Sequence, residues 1–121
     1  MKHYIIFFVC LMITLTVHAV EGEKTKAQEA YEQAENARRA GKQLRAIELY
    51  TKAIKLDPKY IDAYNNRAAV FSALGRLDEA LNDCSKAIEL NPNYMLAYAN
   101  RGRIFQNKNQ HDKAIEDFKK A

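Results

Sequence analysis

Few side chains in this sequence can carry out covalent or acid–base chemistry. Beyond residue 19, the 121-residue chain has one cysteine, Cys84, and one histidine, His111. A disulfide needs two cysteines and a common zinc site needs several Cys or His ligands, so neither can form within this part of the chain. A Ser-His-Asp or Cys-His arrangement would have to use His111. We therefore predict no catalysis, no metal and no cofactor.

The first 19 residues form a segment of their own. Lys2 is its single charged residue, an apolar run from Tyr4 to Val17 follows, and the segment closes on the small residue Ala19. This pattern is typical of a secretory signal peptide. The run is shorter than the roughly 20 apolar residues that span a bilayer. We predict an exported protein, in the periplasm or medium of a bacterium or the secretory lumen of a eukaryote, without stable membrane insertion after cleavage. An uncleaved anchor or a buried helix is the alternative.

Beyond this leader the sequence repeats itself every 34 residues. Asp57-Pro58 and Asn91-Pro92 lie at this offset, and alanines recur at it through three copies. A fixed period of this length is typical of stacked structural units. The matching positions include Tyr64 with Tyr98, Arg67 with Arg101, Ala46 with Ala80 and Ala114, and Ala53 with Ala87 and Ala121.

Each copy has the pattern of two helices joined by a turn. In the second copy, apolar residues recur at helical spacing before and after Gly75. Gly75 can adopt the left-handed backbone that ends a helix, and Gly41 and Asn109 occupy the same place in the other copies. We expect Asp78 to cap the second helix and Pro92 to end it. The pattern predicts an all-α fold of stacked hairpins.

These positions resemble the tetratricopeptide repeat (TPR) family, whose pattern places aromatic and small residues in the first helix, then an alanine, an aromatic and a proline. The resemblance implies an α-solenoid of three TPR hairpins over 27–60, 61–94 and 95–121, after a polar linker over 20–26. The third repeat is expected to be incomplete and without a capping helix. The second copy reads Tyr64, Ala68, Phe71, Ala80, Cys84 and Pro92, the third Tyr98, Gly102, Phe105, Ala114 and Phe118, and the first Ala30, Ala34, Ala37, Ala46, Tyr50 and Pro58.

By this resemblance, the first helices of the repeats line a concave groove that binds a peptide or a partner helix. An amide side chain both donates and accepts, so asparagines there could pair with the backbone of an extended peptide. The alternative is that these asparagines bond to local structure or face water. The predicted partner-binding residues are Tyr31, Glu35, Asn65, Asn66, Asn100 and Arg103.

One TPR subfamily binds chaperone C-terminal tails through a carboxylate clamp of lysines, asparagines and an arginine. Of the five corresponding residues in this chain, Asn66 alone matches, and Glu35 would repel a carboxylate. The sequence therefore argues against a chaperone tail, and the ligand is predicted only as a protein or peptide. The five residues are Tyr31, Glu35, Asn66, Leu96 and Asn100.

The net charge of +4 does not indicate nucleic-acid binding, which needs a continuous basic surface. Acidic and basic residues are interspersed, and the three repeats carry net charges of +2, −2 and +3 in chain order. We expect no nucleic-acid partner.

Two arginines stand where a leucine is common in the family, and each is followed 16 residues later by an aspartate. The first repeat lacks both charges. We predict structural ion pairs Arg67–Asp83 and Arg101–Asp117, with Arg101–Asp83 as the alternative. Cys84, which aligns with core aromatics, is expected to be buried, and an intermolecular disulfide is its alternative.

The last helix is expected to leave an apolar edge uncovered near the C-terminus, at Ala114, Ile115 and Phe118. A truncated repeat array, a homodimer or a partner over the edge would each account for it. The leading function is a non-catalytic protein-interaction scaffold that binds its partner in the groove. The alternative is a structural assembly subunit that self-associates through this edge.

Overall fold

The structure, a computed structural model, describes residues 22–121, and this part of the chain forms six α-helices and no strand. The predicted all-α fold is confirmed. The predicted signal peptide lies outside the described residues. None of the six helices is long and apolar enough to cross a membrane. The helices are α1 (Lys26–Arg39), α2 (Gln43–Leu56), α3 (Ile61–Ala73), α4 (Leu77–Leu90), α5 (Met95–Asn107) and α6 (His111–Lys120).

Successive helices pack into three hairpins that form one stack. Helix α1 packs on α2, α3 on α4 and α5 on α6, while the contacts of α2 with α3 and of α4 with α5 join the hairpins. Side-chain hydrogen bonds also join α1 to α3 and α3 to α5, whereas none joins α2 to α4 or α4 to α6 in the described part of the chain. Helices α1, α3 and α5 therefore line the inner side of the stack, which we call the concave face.

Each hairpin turns through one residue with a left-handed backbone. The φ angle is +75° at Gly41, +77° at Gly75 and +59° at Asn109. The next residue in each case donates its backbone N–H to a carbonyl near the helix end, over 2.8 to 2.9 Å. This bond satisfies a carbonyl that the helix leaves free. The three predicted turn positions are confirmed.

The connections between hairpins are built around the two prolines. The preceding residues Asp57 and Asn91 are extended, with φ of −140° and −146°, as a residue before proline prefers. Tyr64 and Tyr98 each donate their hydroxyl to the carbonyl of the proline six residues earlier, over 3.0 and 2.9 Å. This bond fixes the start of α3 and α5 relative to the preceding loop.

The helix starts differ from one another. The Thr25 hydroxyl accepts the backbone N–H of Gln28 at 3.1 Å, and the Gln28 side chain accepts the Thr25 N–H at 2.9 Å, which forms a capping box at α1. The predicted cap by Asp78 is wrong. Arg76 occupies the cap position of α4 without a side-chain bond, and Asp78 lies in the first turn. Its carboxylate pairs instead with Lys108 at 2.5 Å, where it also complements the helix dipole.

Small side chains at the helix contacts let the backbones approach closely, while larger ones such as the fully buried Tyr50 fill the space beside them. A larger residue at such a position would force the helices apart, at a typical cost of about 1–3 kcal/mol. The alanines without exposed surface are Ala34, Ala46, Ala53, Ala63, Ala68, Ala80, Ala87 and Ala97.

Candidate functional site

A chain of hydrogen-bonded side chains crosses the concave face. On α5, the Arg103 guanidinium donates to Oδ1 of Asn100. Asn100 Nδ2 donates to Oδ1 of Asn65 on α3 over 2.8 Å. Asn65 Nδ2 in turn donates to Oδ1 of Asn66 over 3.4 Å. We call these four residues the amide chain.

The amide chain ends on α1. Asn66 Nδ2 donates to the Tyr31 hydroxyl oxygen at 2.8 Å and to Glu35 Oε1 at 2.9 Å. An amide nitrogen has two hydrogens, so both donors of Asn66 are in use. The Tyr50 hydroxyl also donates to Glu35 Oε1, and Arg38 Nη2 lies 2.8 Å from Glu35 Oε2.

Glu35 is held in its charged form. Burial by itself raises the pKa of this carboxyl, but hydrogen bonds from Arg38, Tyr50 and Asn66 lower it by more, so its pKa lies below the usual range. Burial and the neighbouring carboxylate raise the pKa of Tyr50. At the first-repeat end of the concave face, the charged Glu35 carboxylate is therefore already paired with Arg38 and surrounded by donors of the protein itself.

All six predicted partner-binding residues belong to this one network, at different depths. Asn65 is only 4% exposed, whereas Asn100 is partly exposed and Arg103 is exposed. Asn65 therefore positions its neighbours, and Asn100 and Arg103 keep hydrogen-bonding capacity at the surface. That the six bind a partner stays a prediction.

Two further tyrosines lie on the same face and were not predicted from the sequence. Tyr60 and Tyr94 stand one repeat apart, immediately before α3 and α5. The Tyr60 ring stacks on Tyr31 with centroids 4.9 Å apart, and the Tyr94 hydroxyl donates to Asp62 Oδ1 over 2.5 Å. The repeat spacing between Tyr60 and Tyr94 could have identified them. They were missed because both precede their helices, and the helical periodicity used to choose groove residues does not include them.

The two predicted ion pairs are confirmed. Arg67 contacts Asp83 through Nη2 at 2.7 Å and Nε at 2.8 Å, and Arg101 contacts Asp117 through the same two nitrogens at 2.8 Å each. Each is a bidentate pair between the two helices of one hairpin. Arg67 Nη1 also donates to the Thr51 hydroxyl at 3.0 Å, which ties α3 to α2.

Cys84 is a core residue, as predicted. It has no exposed surface, and burial raises the pKa of its thiol to about 12. A thiol in that state is not a nucleophile at neutral pH. Within residues 22–121, no group of three or more His, Cys, Asp or Glu residues is placed to bind a metal ion.

The exposed apolar edge of α6 is smaller than predicted. Ile115 and Phe118 are 52% and 42% exposed, but Ala114 is only 3% exposed. Like Ala46 and Ala80 in the earlier repeats, it lies on the side of its helix that packs against the hairpin partner. The inclusion of Ala114 in a self-association surface is therefore wrong, while self-association through the other two residues stays a prediction.

Comparison with known proteins defines the class of the chain. A family model described as "Tetratricopeptide repeat" matches residues 61–94, one described as "TPR repeat" matches 37–75, and another "Tetratricopeptide repeat" model matches 84–116. The chain belongs to the tetratricopeptide repeat family.

Among curated relatives, Hsp70-Hsp90 organizing protein 3 of Arabidopsis thaliana is 48% identical over 40 residues, which are 33% of this chain and 7% of that protein. Small glutamine-rich tetratricopeptide repeat-containing protein beta of Homo sapiens is 34% identical over 67 residues, which are 55% of this chain and 22% of that protein. The chain thus spans 22% or less of the length of either relative.

Solved structures cover more of the fold. The second TPR of Spaghetti, bound to the HSP90 peptide SRMEEVD, superposes with a TM-score of 0.77 at 30% identity, over 79% of this chain and 89% of that one. The TPR2B-domain:pHsp70 complex of yeast Sti1 gives 0.78 at 31% identity, over 80% and 78%. MamA gives 0.76 at 28% identity, over 81% and 57%.

Proposed function

We propose that the protein is a non-catalytic interaction scaffold that binds an extended peptide segment of a partner protein on its concave face. The observation that carries this proposal is the amide chain, which presents amide and guanidinium groups across neighbouring repeats. The similar TPR domains of Spaghetti and Sti1, at 30% and 31% identity, are complexes with an HSP90 peptide and with pHsp70. They support a peptide ligand as a class, without naming the partner of this chain.

The third repeat offers the free hydrogen-bonding groups. Asn100 uses one N–H and one lone pair within the amide chain, so one donor and one acceptor remain. A peptide unit needs this combination, because it too has one N–H and one carbonyl. Arg103 makes one bond to Asn100 and has no carboxylate partner within residues 22–121, so most of its five N–H donors are free.

The proposed peptide is not anchored by a terminal carboxylate at Asn66. Both N–H groups of Asn66 already bind Tyr31 and Glu35. Arg38, the cation beside Asn66 in this network, is already paired with Glu35 at 2.8 Å, so a ligand carboxylate would have to displace that pairing. The ligand backbone, with Arg103 as the cationic contact, is the better match to this surface.

The test is a crosslinking and affinity experiment on the full chain. A photo-crosslinking residue at Gln106, an exposed residue of α5 about one turn beyond Arg103, should capture the partner in the native compartment while Asn100 and Arg103 stay in place. Its crosslinked segment is then synthesised as a peptide. Fluorescence anisotropy should show at least about ten-fold weaker binding for Asn100→Ala/Arg103→Ala, since about 1.4 kcal/mol corresponds to that factor.

The matched control is Asn82→Ala/Arg45→Ala, which removes the same residue types from exposed positions on α4 and α2. It should bind like the unmodified chain. Equal affinities of the two double variants would contradict the proposed groove. So would capture of the partner by a photo-crosslinking residue at Asn82 on the outer helix α4 but not by one on α5.

The second candidate function is self-association through Ile115 and Phe118. The observation that favours it is their exposure of 52% and 42% on one helix. Analytical ultracentrifugation should then show a dimer that Ile115→Ser, at the more exposed of the two residues, converts to a monomer. A monomer of the unmodified chain at tens of micromolar would eliminate this candidate.

A further inference from the structure

Three tyrosines and one aspartate from successive hairpins meet at one end of the concave face. We call Tyr31, Tyr60, Tyr94 and Asp62 the tyrosine cluster. The rings of Tyr31 and Tyr60 stack with an interplanar angle of 23°, and the Tyr94 hydroxyl is bound to Oδ1 of Asp62. This hydrogen bond orients the carboxylate and leaves its second oxygen, Oδ2, without a partner among the described residues.

Asp62 forms no ion pair within the described residues, whereas Glu32 and Glu35 on the concave face each do. Glu32 pairs with Lys24 at 2.7 Å and Glu35 with Arg38 at 2.8 Å. Asp62 has no lysine, arginine or histidine within salt-bridge distance in the described part of the chain, and its side chain is exposed. Its negative charge is therefore available to a ligand.

The surroundings of Asp62 suit a cation in three respects. Aromatic faces attract cations through the ring quadrupole, and Tyr60, which is held in place by stacking on Tyr31, lines the cavity beside Asp62. Burial, then Glu35 and Asp62, raise the pKa of Tyr31 to about 12, so its phenol stays neutral. A cavity of about 380 Å³, lined in part by Gln28, Tyr60 and Asp62, opens beside the cluster.

Other charged groups line this cavity without neutralising Asp62. The Asp57 carboxylate accepts the backbone N–H of Lys59 at 3.0 Å, and both side chains are exposed. The Lys59 ammonium forms no ion pair with Asp57 or Asp62 within residues 22–121. The side chains that line the cavity thus carry two carboxylates and one ammonium, a net negative charge.

We infer that the tyrosine cluster binds the ammonium or guanidinium group of a lysine or arginine side chain of the partner peptide. Asp62, oriented by Tyr94, is its counter-ion, and the Tyr60 ring, held by its stacking on Tyr31, is its aromatic wall. This inference rests on the proposed peptide-binding function and adds a specificity to it. A neutral side chain would lose the ion pair, and an acidic one would be repelled by Asp62. The cluster therefore selects a basic residue for the ligand position near the first turn of α3.

The experiment uses two small probes on the ¹⁵N-labelled full chain. N-acetyl-lysine-N-methylamide carries the cation, and N-acetyl-norleucine-N-methylamide has the same stem without it. Titration of the lysine probe at low ionic strength should produce saturable chemical-shift changes at the amides of Tyr60, Asp62 and Tyr94, with weak, millimolar affinity. The norleucine probe should leave them unchanged, and added salt should weaken the lysine response because it screens charge.

Asp62→Asn should weaken the lysine probe at least about five-fold, which corresponds to an exposed ion pair of about 1 kcal/mol. Asp112→Asn is the matched control, because Asp112 is also the exposed second residue of a helix, α6, and lies outside the cluster. It should bind the probe unchanged.

The inference is overturned if the lysine and norleucine probes give the same response on the unmodified chain. This comparison uses no variant, so it tests the inference even if Asp62→Asn fails to fold. Equal weakening by Asp62→Asn and Asp112→Asn would overturn it as well. The outcome is separable from the proposed function. A chain that binds its crosslinked peptide through Asn100 and Arg103 but ignores the lysine probe retains the function and loses this specificity.

Discussion

At the scale of single residues, Arg67 joins three contacts that no other side chain could make together. Its guanidinium binds both oxygens of Asp83, donates to Thr51, and lies 5.7 Å from the centroid of the Phe71 ring. The side chains of Arg67 and Asp83 are 17% and 5% exposed. Because the aspartate is buried, the loss of the arginine leaves a desolvated charge behind.

Arg67→Met should therefore lower the free energy of unfolding by about 3 kcal/mol at pH 7, the typical cost of breaking a buried pair from one side. Burial raises the pKa of Asp83 while Arg67 lowers it, so the variant raises that pKa further. Because the folded-state pKa of Asp83 is raised, the destabilisation appears only as the pH rises through that pKa and the buried carboxylate becomes charged. Urea unfolding should thus show a smaller defect at pH 4 than at pH 7.

Two control variants test whether the cost comes from the buried, unpaired charge of Asp83. Arg45→Met breaks an exposed pair with Glu48, 60% and 67% exposed, and should cost less than about 0.5 kcal/mol. Arg67→Gln/Asp83→Leu installs the residues of the first repeat, Gln33 and Leu49, and should cost less than Arg67→Met alone. A loss that is the same at both pH values would show that the aspartate is not the cause.

Glu35 should make stability depend on pH with the opposite sign. Hydrogen bonds from Arg38, Tyr50 and Asn66 outweigh burial and hold the pKa of this carboxyl below its usual value. A carboxyl whose pKa is lowered by folding stabilises the folded state fully at pH values above its unfolded-state pKa, about 4.3. This stabilisation is lost as the pH falls through the folded-state pKa. The stability difference between the unmodified chain and Glu35→Gln should be largest near pH 7 and vanish near pH 2.

Urea unfolding across this pH range measures the difference. Glu48→Gln is the control, because the Glu48 side chain is 67% exposed on α2. It should show little change at any pH. A Glu35→Gln variant whose deficit persists undiminished at pH 2 would argue that lost packing, rather than lost charge, destabilises it.

At the scale of elements, the two helices of the third hairpin fit through a glycine and a phenylalanine. A Cβ atom on Gly102 would lie 2.7 Å from a ring carbon of Phe118. In the second hairpin the corresponding residues are Ala68 and Cys84, a larger and a smaller side chain. The repeats thus fill the same space with different pairs.

Gly102→Ala should lower stability by about 1 kcal/mol, because the ring must move. In a Phe118→Ala background the same change should raise stability by up to about 1 kcal/mol, since alanine favours a helix more than glycine. Thermal or urea unfolding of the four chains gives the coupling energy. Strictly additive effects of the two substitutions would mean that the contact does not limit the packing of α5 on α6.

The turns and the ion pairs between helices were predicted from the sequence, whereas one helix cap was not. The turns at Gly41, Gly75 and Asn109 follow from local backbone chemistry, and the pairs of Arg67 and Arg101 follow from charges that appear together. The cap assigned to Asp78 failed because α4 begins at Leu77, which puts Asp78 inside the first turn, and its carboxylate then meets Lys108, 30 residues away. Long-range partners of that kind are not visible in a local pattern.

At the scale of the whole molecule, the same limit applies to the concave face. The repeat period identifies the helices that line it, and hence the six predicted residues. It does not show that their side chains bond to each other, because those bonds join residues about 35 positions apart, as from Asn66 to Tyr31 and from Asn100 to Asn65. Burial of Asn65 and the cluster around Asp62 arise only when the hairpins stack.

The whole face should also discriminate between ligands. The HSP90 peptide SRMEEVD, which is bound to the TPR domain of Spaghetti, should bind this chain at least about ten-fold more weakly than it binds that domain by calorimetry, a difference of about 1.4 kcal/mol. The reason is that both N–H donors of Asn66 and the guanidinium of Arg38 are already bound within the protein, so they do not hold its terminal carboxylate. The Spaghetti domain is the positive control, and equal affinity of this chain for the peptide would refute the expectation.

The amide chain has a mechanical consequence. It ties α5 to α3, and Asn66 ties α3 to α1, while no such side-chain bond links the outer helices within residues 22–121. A force that spreads the inner helices must break these bonds, whereas one that closes them does not. The stack should therefore bend more easily in one direction than in the other, towards a tighter curve around whatever lies in its groove.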